Sequence, residues 1–111
     1  MIQPVIHSAE PMYSTFGLDP EMSDLVEMFV DEMPDRLANF CDCMDRNDME
    51  AVCIAAHQLK GAAGSYGFGE LTPSLHHLEM ALKRNASADE IQLALDAVIA
   101  LCERIRPGGP A

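Results

Sequence analysis

Residues 49–66 read Met49-Glu50-Ala51-Val52-Cys53-Ile54-Ala55-Ala56-His57-Gln58-Leu59-Lys60-Gly61-Ala62-Ala63-Gly64-Ser65-Tyr66. Within this stretch Met49, Val52, Ala56, Leu59, Ala63 and Tyr66 recur at alternating steps of three and four, the seam of an amphipathic helix. His57 lies one residue off that seam, so a helix turns it toward solvent. Lys60, Gly61 and Gly64 follow three, four and seven residues later, on the same outward stripe as the imidazole. A glycine inside a helix costs about 1 kcal/mol relative to alanine, so two on one stripe need a reason. Access supplies one: bare backbone beside the ring lets a bulky partner reach it. An exposed imidazole next to a cation on a shaved helix face reads as a nucleophile offered to another protein.

The flanking sequence extends the helical pattern in both directions. Residues 1–18, with Pro4, Pro11 and Gly17, read as an extended or partly helical lead-in. Asp19-Pro20-Glu21 reads as a helix start, with Asp19 as N-cap and Pro20 in the first helical position. Met22, Leu25, Phe29, Met33, Leu37, Phe40 and Met44 then keep helical spacing to about Asp45. Pro34 interrupts this run, and an interior proline kinks a helix. The apolar register carries straight through it, which predicts one bent helix rather than two.

Asn47-Asp48 caps the central helix, which ends at about Ser65 or Tyr66, with the break at Gly67 and Gly69. A third helix is expected from about Glu70 to Arg84, with Leu71, Leu75, Leu78 and Leu82 as its seam and Pro73 tolerated in its first turn. Ser87-Ala88-Asp89-Glu90 reads as a capping box. It opens a fourth helix whose stripe is Ile91, Leu95, Val98, Leu101 or Cys102, and Ile105. Pro107-Gly108-Gly109-Pro110 reads as a frayed end. Short connections predict antiparallel neighbours. The expected fold is all-α, an antiparallel up-down four-helix bundle over residues 19–106, with the lead-in at 1–18 and a C-terminal tail at 107–111.

The composition fits such a fold. The chain has 111 residues, enough for one domain with one core. Eight methionines, many Ala and Leu and only six aromatics favour helix over sheet. Seven Lys and Arg against 18 Asp and Glu give a formal charge of -11. That balance argues against nucleic acid, whose phosphates need a basic face, and against anionic lipid; its plainest consequence is solubility.

Cys41, Cys43, Cys53 and Cys102 form no C-x-x-C pair and read as small apolar fillers. A zinc site needs tighter clustering with histidine. His76 and His77 are adjacent on the third helix, so they point in different directions and cannot face one ligand. The N-terminus lacks the features of a signal peptide, and no stretch approaches the roughly 20 apolar residues of a membrane span. The expected location is the cytoplasm, with reduced thiols.

The run Ala56-His57-Gln58-Leu59-Lys60-Gly61-Ala62-Ala63-Gly64-Ser65 resembles the signature of histidine-containing phosphotransfer (HPt) domains. In that signature a histidine is followed by x-Leu-Lys-Gly, with small residues and another glycine within two turns. The resemblance covers nearly the whole chain. Acidic, Met- and Phe-containing helices with a mid-helix proline precede the signature in that family, as in Leu25 to Leu37. A Leu- and His-containing helix such as Leu71 to Leu82 follows it.

The resemblance implies that His57 is the phosphoacceptor and that Lys60 stabilises the phosphoryl charge. It implies that Cys53, Gly61 and Gly64 belong to a docking surface for receiver domains of response regulators or hybrid sensor kinases. The expected activity is that of a phosphorelay intermediate, accepting phosphoryl from a receiver aspartate and passing it to another receiver. Such a chain is a phosphocarrier and not an enzyme, with neither kinase nor phosphatase activity of its own. It binds no cofactor or metal, is expected to be a monomer, and meets Mg²⁺ in the acidic pocket of its receiver partner. An imidazole suits this task because it is nucleophilic yet largely unprotonated at neutral pH. While one ring nitrogen attacks, the other needs an acceptor for its proton, and Gln58 or water is the partner that sequence proximity offers. Two other readings compete: an adaptor that binds receivers without transfer, and the phosphoacceptor module of a larger chemotaxis-type kinase. A metal-storing bundle lacks the paired Glu and Glu-x-x-His pattern it would need.

Overall fold

A computed structural model describes residues 10–110. A two-residue strand β1 (Met12–Tyr13) precedes four helices, α1 (Ser23–Asp45), α2 (Met49–Ser65), α3 (Thr72–Lys83) and α4 (Ala88–Cys102), and a second short strand β2 (Ile105–Arg106). A 3-10 turn at Gly69–Leu71 leads into α3. Four amphipathic helices around one apolar core make the chain all-α in class, a four-helix bundle with one minor strand pair among the described residues.

The seams read from sequence are the faces that pack. Val52, Ala56, Leu59 and Ala63 of α2 are each at most 1% exposed, as are Leu71, Leu75 and Leu78 around α3. On α4 the ambiguity between Leu101 and Cys102 resolves to Cys102, which is buried while Leu101 is half-buried. α1 differs at its ends. Val26 and Cys43 enter the core, whereas Leu25 is 42% exposed and Met44 only half-buried. Adjacent apolar residues satisfy helical spacing equally well, and the neighbouring helices decide between them. Pro34 is exposed within a continuous α1, as the unbroken register predicts.

Three of the four helices end in the same way. Asn47 (φ 57°), Gly67 (φ 85°) and Asn85 (φ 54°) follow α1, α2 and α3 in the left-handed region. The next amide then reaches back to a carbonyl inside the helix: Asp48 to Cys43, Phe68 to Ala63 and Ala86 to Ala81, at 2.8–3.0 Å. This is the Schellman closure, and Gly and Asn are the residues that tolerate it. It also turns Phe68 inward, where its ring stacks on Phe29 with centroids 5.6 Å apart.

Helix starts are mixed. Asp48 caps α2 by accepting from the Ala51 amide, as expected. Ser87 likewise accepts from Glu90, but the Glu90 carboxylate pairs with Arg84. Asp19 does not begin α1. Its carboxylate accepts from the Glu21 amide at 2.8 Å, closing a turn, and the helix starts at Ser23 with no side-chain cap.

The tail departs from the sequence reading, whereas the lead-in, of which residues 1–9 lie outside the described residues, is extended at Met12–Tyr13 as read. β1 and β2 pair in parallel, Met12 opposite Ile105 and Tyr13 opposite Arg106. Thr15 then donates to the Gly67 carbonyl at 3.0 Å, and Ser14 Oγ donates to the Tyr66 carbonyl. Residues 12–15 therefore strap the chain's end to the end of α2. The Gly108 carbonyl lies where a Cβ on Gly17 would stand, 1.8 Å from that position, so the tail is seated rather than frayed. Two-residue strands have no periodicity for a sequence reading to find.

Candidate functional site

α2 and α3 make the most extensive contact of any helix pair. The small buried residues Ala56 and Ala63 let α2 lie close to its neighbours. The helices run antiparallel, so successive turns of α2 meet earlier turns of α3. His57 stands against Glu79, and Lys60 against His76.

Off the seam, the His57 side chain is 68% exposed, as its position predicts. Its Nδ1 lies 3.0 Å from Glu79 Oε2. Glu79 was not among the residues that sequence reasoning selected, and it is the centre of the cluster. Its side chain is 2% exposed. Oε1 accepts from Lys60 Nζ at 2.7 Å, and Lys83 Nζ sits 2.9 Å from Oε2. The Lys60 ammonium also lies 3.5 Å from His76 Nδ1. The sequence did hold a signal: Glu79 is four residues after Leu75 and three before Leu82, within the apolar stripe of α3. A charge at such a position is buried and must be paired.

The ring's partner is therefore Glu79 and not Gln58. Gln58 is exposed and faces a hollow shared with Asp35, Arg36 and Asn39 of α1. Cys53, one turn before His57, is half-buried and lines a second hollow with Ile54, His57, Gln58, Glu79 and Lys83. Gly61 and Gly64 are both exposed, and a Cβ on either meets nothing within 4 Å. With His57, Lys60, Ser65, Thr72 and His76 they line an open hollow of about 580 Å³ beside the imidazole.

The electrostatics fix the ring. Hydrogen bonds from Lys60 and then Lys83 pull the Glu79 pKa down to about 2, against the opposing effect of burial. An ionised carboxylate only accepts. When the imidazole is neutral, Nδ1 therefore carries the proton and the Nε2 lone pair is left facing outward. The depressed pKa also has a stability consequence. The Glu79 cluster stabilises the fold above the unfolded value of 4.5 and loses that contribution as pH falls toward about 2. Urea midpoints measured down this range should fall more steeply for the wild type than for Glu79→Gln; parallel slopes would contradict the ion cluster.

Other features carry no such chemistry. An apolar groove of about 540 Å³ between α1 and the end of α4 shares no residue with the His57 face. Its one thiol, Cys102, is pushed up to about 12, mainly by burial. Among the described residues no group of three His, Cys, Asp or Glu is placed to hold a metal ion, and no helix is long and apolar enough to cross a membrane.

Comparison with known proteins agrees with this geometry. The model of the Hpt domain family matches residues 24–108, which include all four helices from Asp24 onward. The chain is 31% identical over 86 residues to the chemotaxis protein CheA of Salmonella typhimurium, a match covering 70% of this chain. The chain spans only 13% of that protein's length. No solved structure matches. With the family model matched over most of its length and an exposed imidazole on the signature helix of a four-helix bundle, the chain belongs to the Hpt domain family and is a phosphotransfer module of two-component signalling.

Proposed function

We propose that His57 is the phosphoacceptor of a phosphorelay and takes its phosphoryl group on Nε2 from a receiver aspartate. The Nε2 lone pair attacks phosphorus, the aspartyl O–P bond breaks, and the carboxylate leaves. Nδ1 keeps its proton throughout. The ring becomes cationic, and that charge faces the Glu79 carboxylate 3.0 Å away. Return of the phosphoryl group to a second receiver reverses these steps. Phosphoryl transfer asks mainly for positioning and charge neutralisation. Glu79 positions the ring, and Lys60 lies at the edge of the hollow where the phosphoryl oxygens arrive. Mg²⁺ belongs to the receiver in this reading. The observation that carries the proposal is the exposed imidazole whose inner nitrogen is held by a buried carboxylate.

In this reading the chain acts as a monomer in the cytoplasm, with no kinase or phosphatase activity of its own. Gly61, Gly64 and Cys53 form the surface on which the receiver sits. Gly61→Ala should raise thermal stability by up to about 1 kcal/mol, because the added methyl meets nothing and favours helix. Gly61→Gln should slow transfer from a receiver yet leave chemical phosphorylation by phosphoramidate at the wild-type rate. Slowing of both reactions alike would remove the docking role.

The experiment for the whole reading is transfer of ³²P from a panel of phosphorylated receivers, scored by initial rate. Rapid labelling by at least one receiver is expected. Receiver binding without labelling would establish the adaptor instead. The likeness to CheA favours a second reading, a phosphoacceptor module within a longer kinase. In that case labelling from ATP by kinase domains supplied in trans would outpace labelling by every receiver.

A further inference from the structure

Glu79 holds more positive charge than a ring-orienting carboxylate needs, and the excess is arranged unevenly. Lys60 reaches it from α2 and bonds Oε1 at 2.7 Å. Lys83 reaches it from α3 itself, one turn on, and meets Oε2 at 2.9 Å. Oε2 is also the oxygen that takes His57 Nδ1. Lys60 is mostly buried at 23% side-chain exposure, whereas Lys83 is 56% exposed.

We infer that Lys83 is a positioning residue that keeps Glu79 on the His57 ring while Lys60 turns to the phosphoryl group. This rests on the phosphoacceptor reading for the loaded state, although the arrangement in the free state stands by itself. Lys60 lines the same hollow as His57, Gly61 and Gly64, so the hollow that admits the phosphoryl group is also open to its ammonium. One ammonium cannot fully serve both a buried carboxylate and a phosphoryl dianion. As Lys60 left, only the exposed cationic ring would remain to oppose the burial that favours a protonated Glu79, and a second cation fixed beside the carboxylate strengthens that opposition. A protonated Glu79 would hold the ring proton poorly. Lys83 is placed to prevent this because it depends on α3 alone: its spacing from Glu79 is the (i, i+4) pairing of one helix. The pairing acts both ways, for the same hydrogen bond raises the Lys83 pKa. The other ionisable groups near this pair are His57, Lys60 and Cys53 from α2, with His76 of α3 beyond Lys60.

The test uses the full chain as Lys83→Met, Lys83→Arg, Lys60→Met and the double variant Lys60→Met/Lys83→Met. Phosphoramidate serves as the donor, and ¹⁵N spectra of the His57 ring are recorded before and after loading. Free Lys83→Met should keep the protonated Nδ1, since Lys60 still holds Glu79. Loaded Lys83→Met should lose that signature and take up phosphoryl about threefold more slowly, the scale set by one partly exposed ion pair. Lys83→Arg should restore both. A loaded Lys83→Met that matches the wild type in spectrum and rate overturns the inference, and so does failure of Lys83→Arg to rescue.

If the wild type takes no phosphoryl from any donor, the phosphoacceptor reading fails, and the free-state spectra decide the Lys83 role separately. Lys60→Met should then retain protonated Nδ1 and the double variant should lose it. Equal spectra from these two would overturn Lys83 as the holder of Glu79.

Discussion

Replacement of His57 by Gln is expected to abolish phosphoryl labelling by every receiver while leaving the fold intact. The imidazole is the one side chain of α2 that stands exposed beside the bare glycines with its inner nitrogen held by a buried carboxylate. His76 lies beyond Lys60, which approaches its Nδ1 at 3.5 Å. The side chain is 68% exposed and Lys60 and Lys83 still hold Glu79, so an amide of similar reach should cost no more than one hydrogen bond, about 1 kcal/mol. Circular dichroism and a urea midpoint establish the fold, and gel autoradiography scores the label. Receiver binding should survive, because the proposed docking surface is built from Cys53, Gly61 and Gly64. Retained labelling in a well-folded His57→Gln chain would place the acceptor elsewhere.

Removal of the charge behind the ring should have the next largest effect. Glu79→Gln keeps the shape of the side chain but loses the anion that fixes Nδ1–H and faces the ring once it becomes cationic. Carboxylates behind metal-bound imidazoles matter by about 10–100-fold, and by analogy transfer should slow by about that factor. Two spectroscopic changes should accompany the loss. The His57 ring should populate both tautomers rather than one, and the Lys83 pKa, raised by this carboxylate, should fall. Stability should drop by about 1–3 kcal/mol, since Lys60 is left largely buried without its anion. A purely structural Glu79 would show the stability loss with an unchanged tautomer and an unchanged rate per folded molecule.

The imidazole's exposure was legible in the sequence because it follows from one helix. The seam of α2 is periodic, His57 is off it, and the glycines mark bare backbone, so local spacing fixes the outward direction of the ring. The bundle was legible for the same reason, since Leu75, Leu78, Val98 and their equivalents carry the helical period. Helix ends were partly legible: Asp48 and Gly67 act as their residue types predict, whereas Asp19 closes a turn and α1 begins four residues later.

What could not be read was the partner of the ring. Gln58 is adjacent in sequence, yet adjacent helical residues point in different directions. Glu79 comes from another helix, and its approach depends on the axial register of α2 against α3, which no local pattern specifies. Its position inside a leucine stripe was the available clue. The β1–β2 pairing was hidden for a related reason, being long-range and only two residues long.

The central claim is that Glu79 holds Nδ1 and leaves Nε2 to react. The most direct test is a ³¹P–¹⁵N correlation spectrum of the uniformly ¹⁵N-labelled chain after phosphorylation. The account predicts phosphorus coupled to Nε2 of His57, with Nδ1 still protonated. Coupling to Nδ1 of His57, or to either nitrogen of His76, would contradict it.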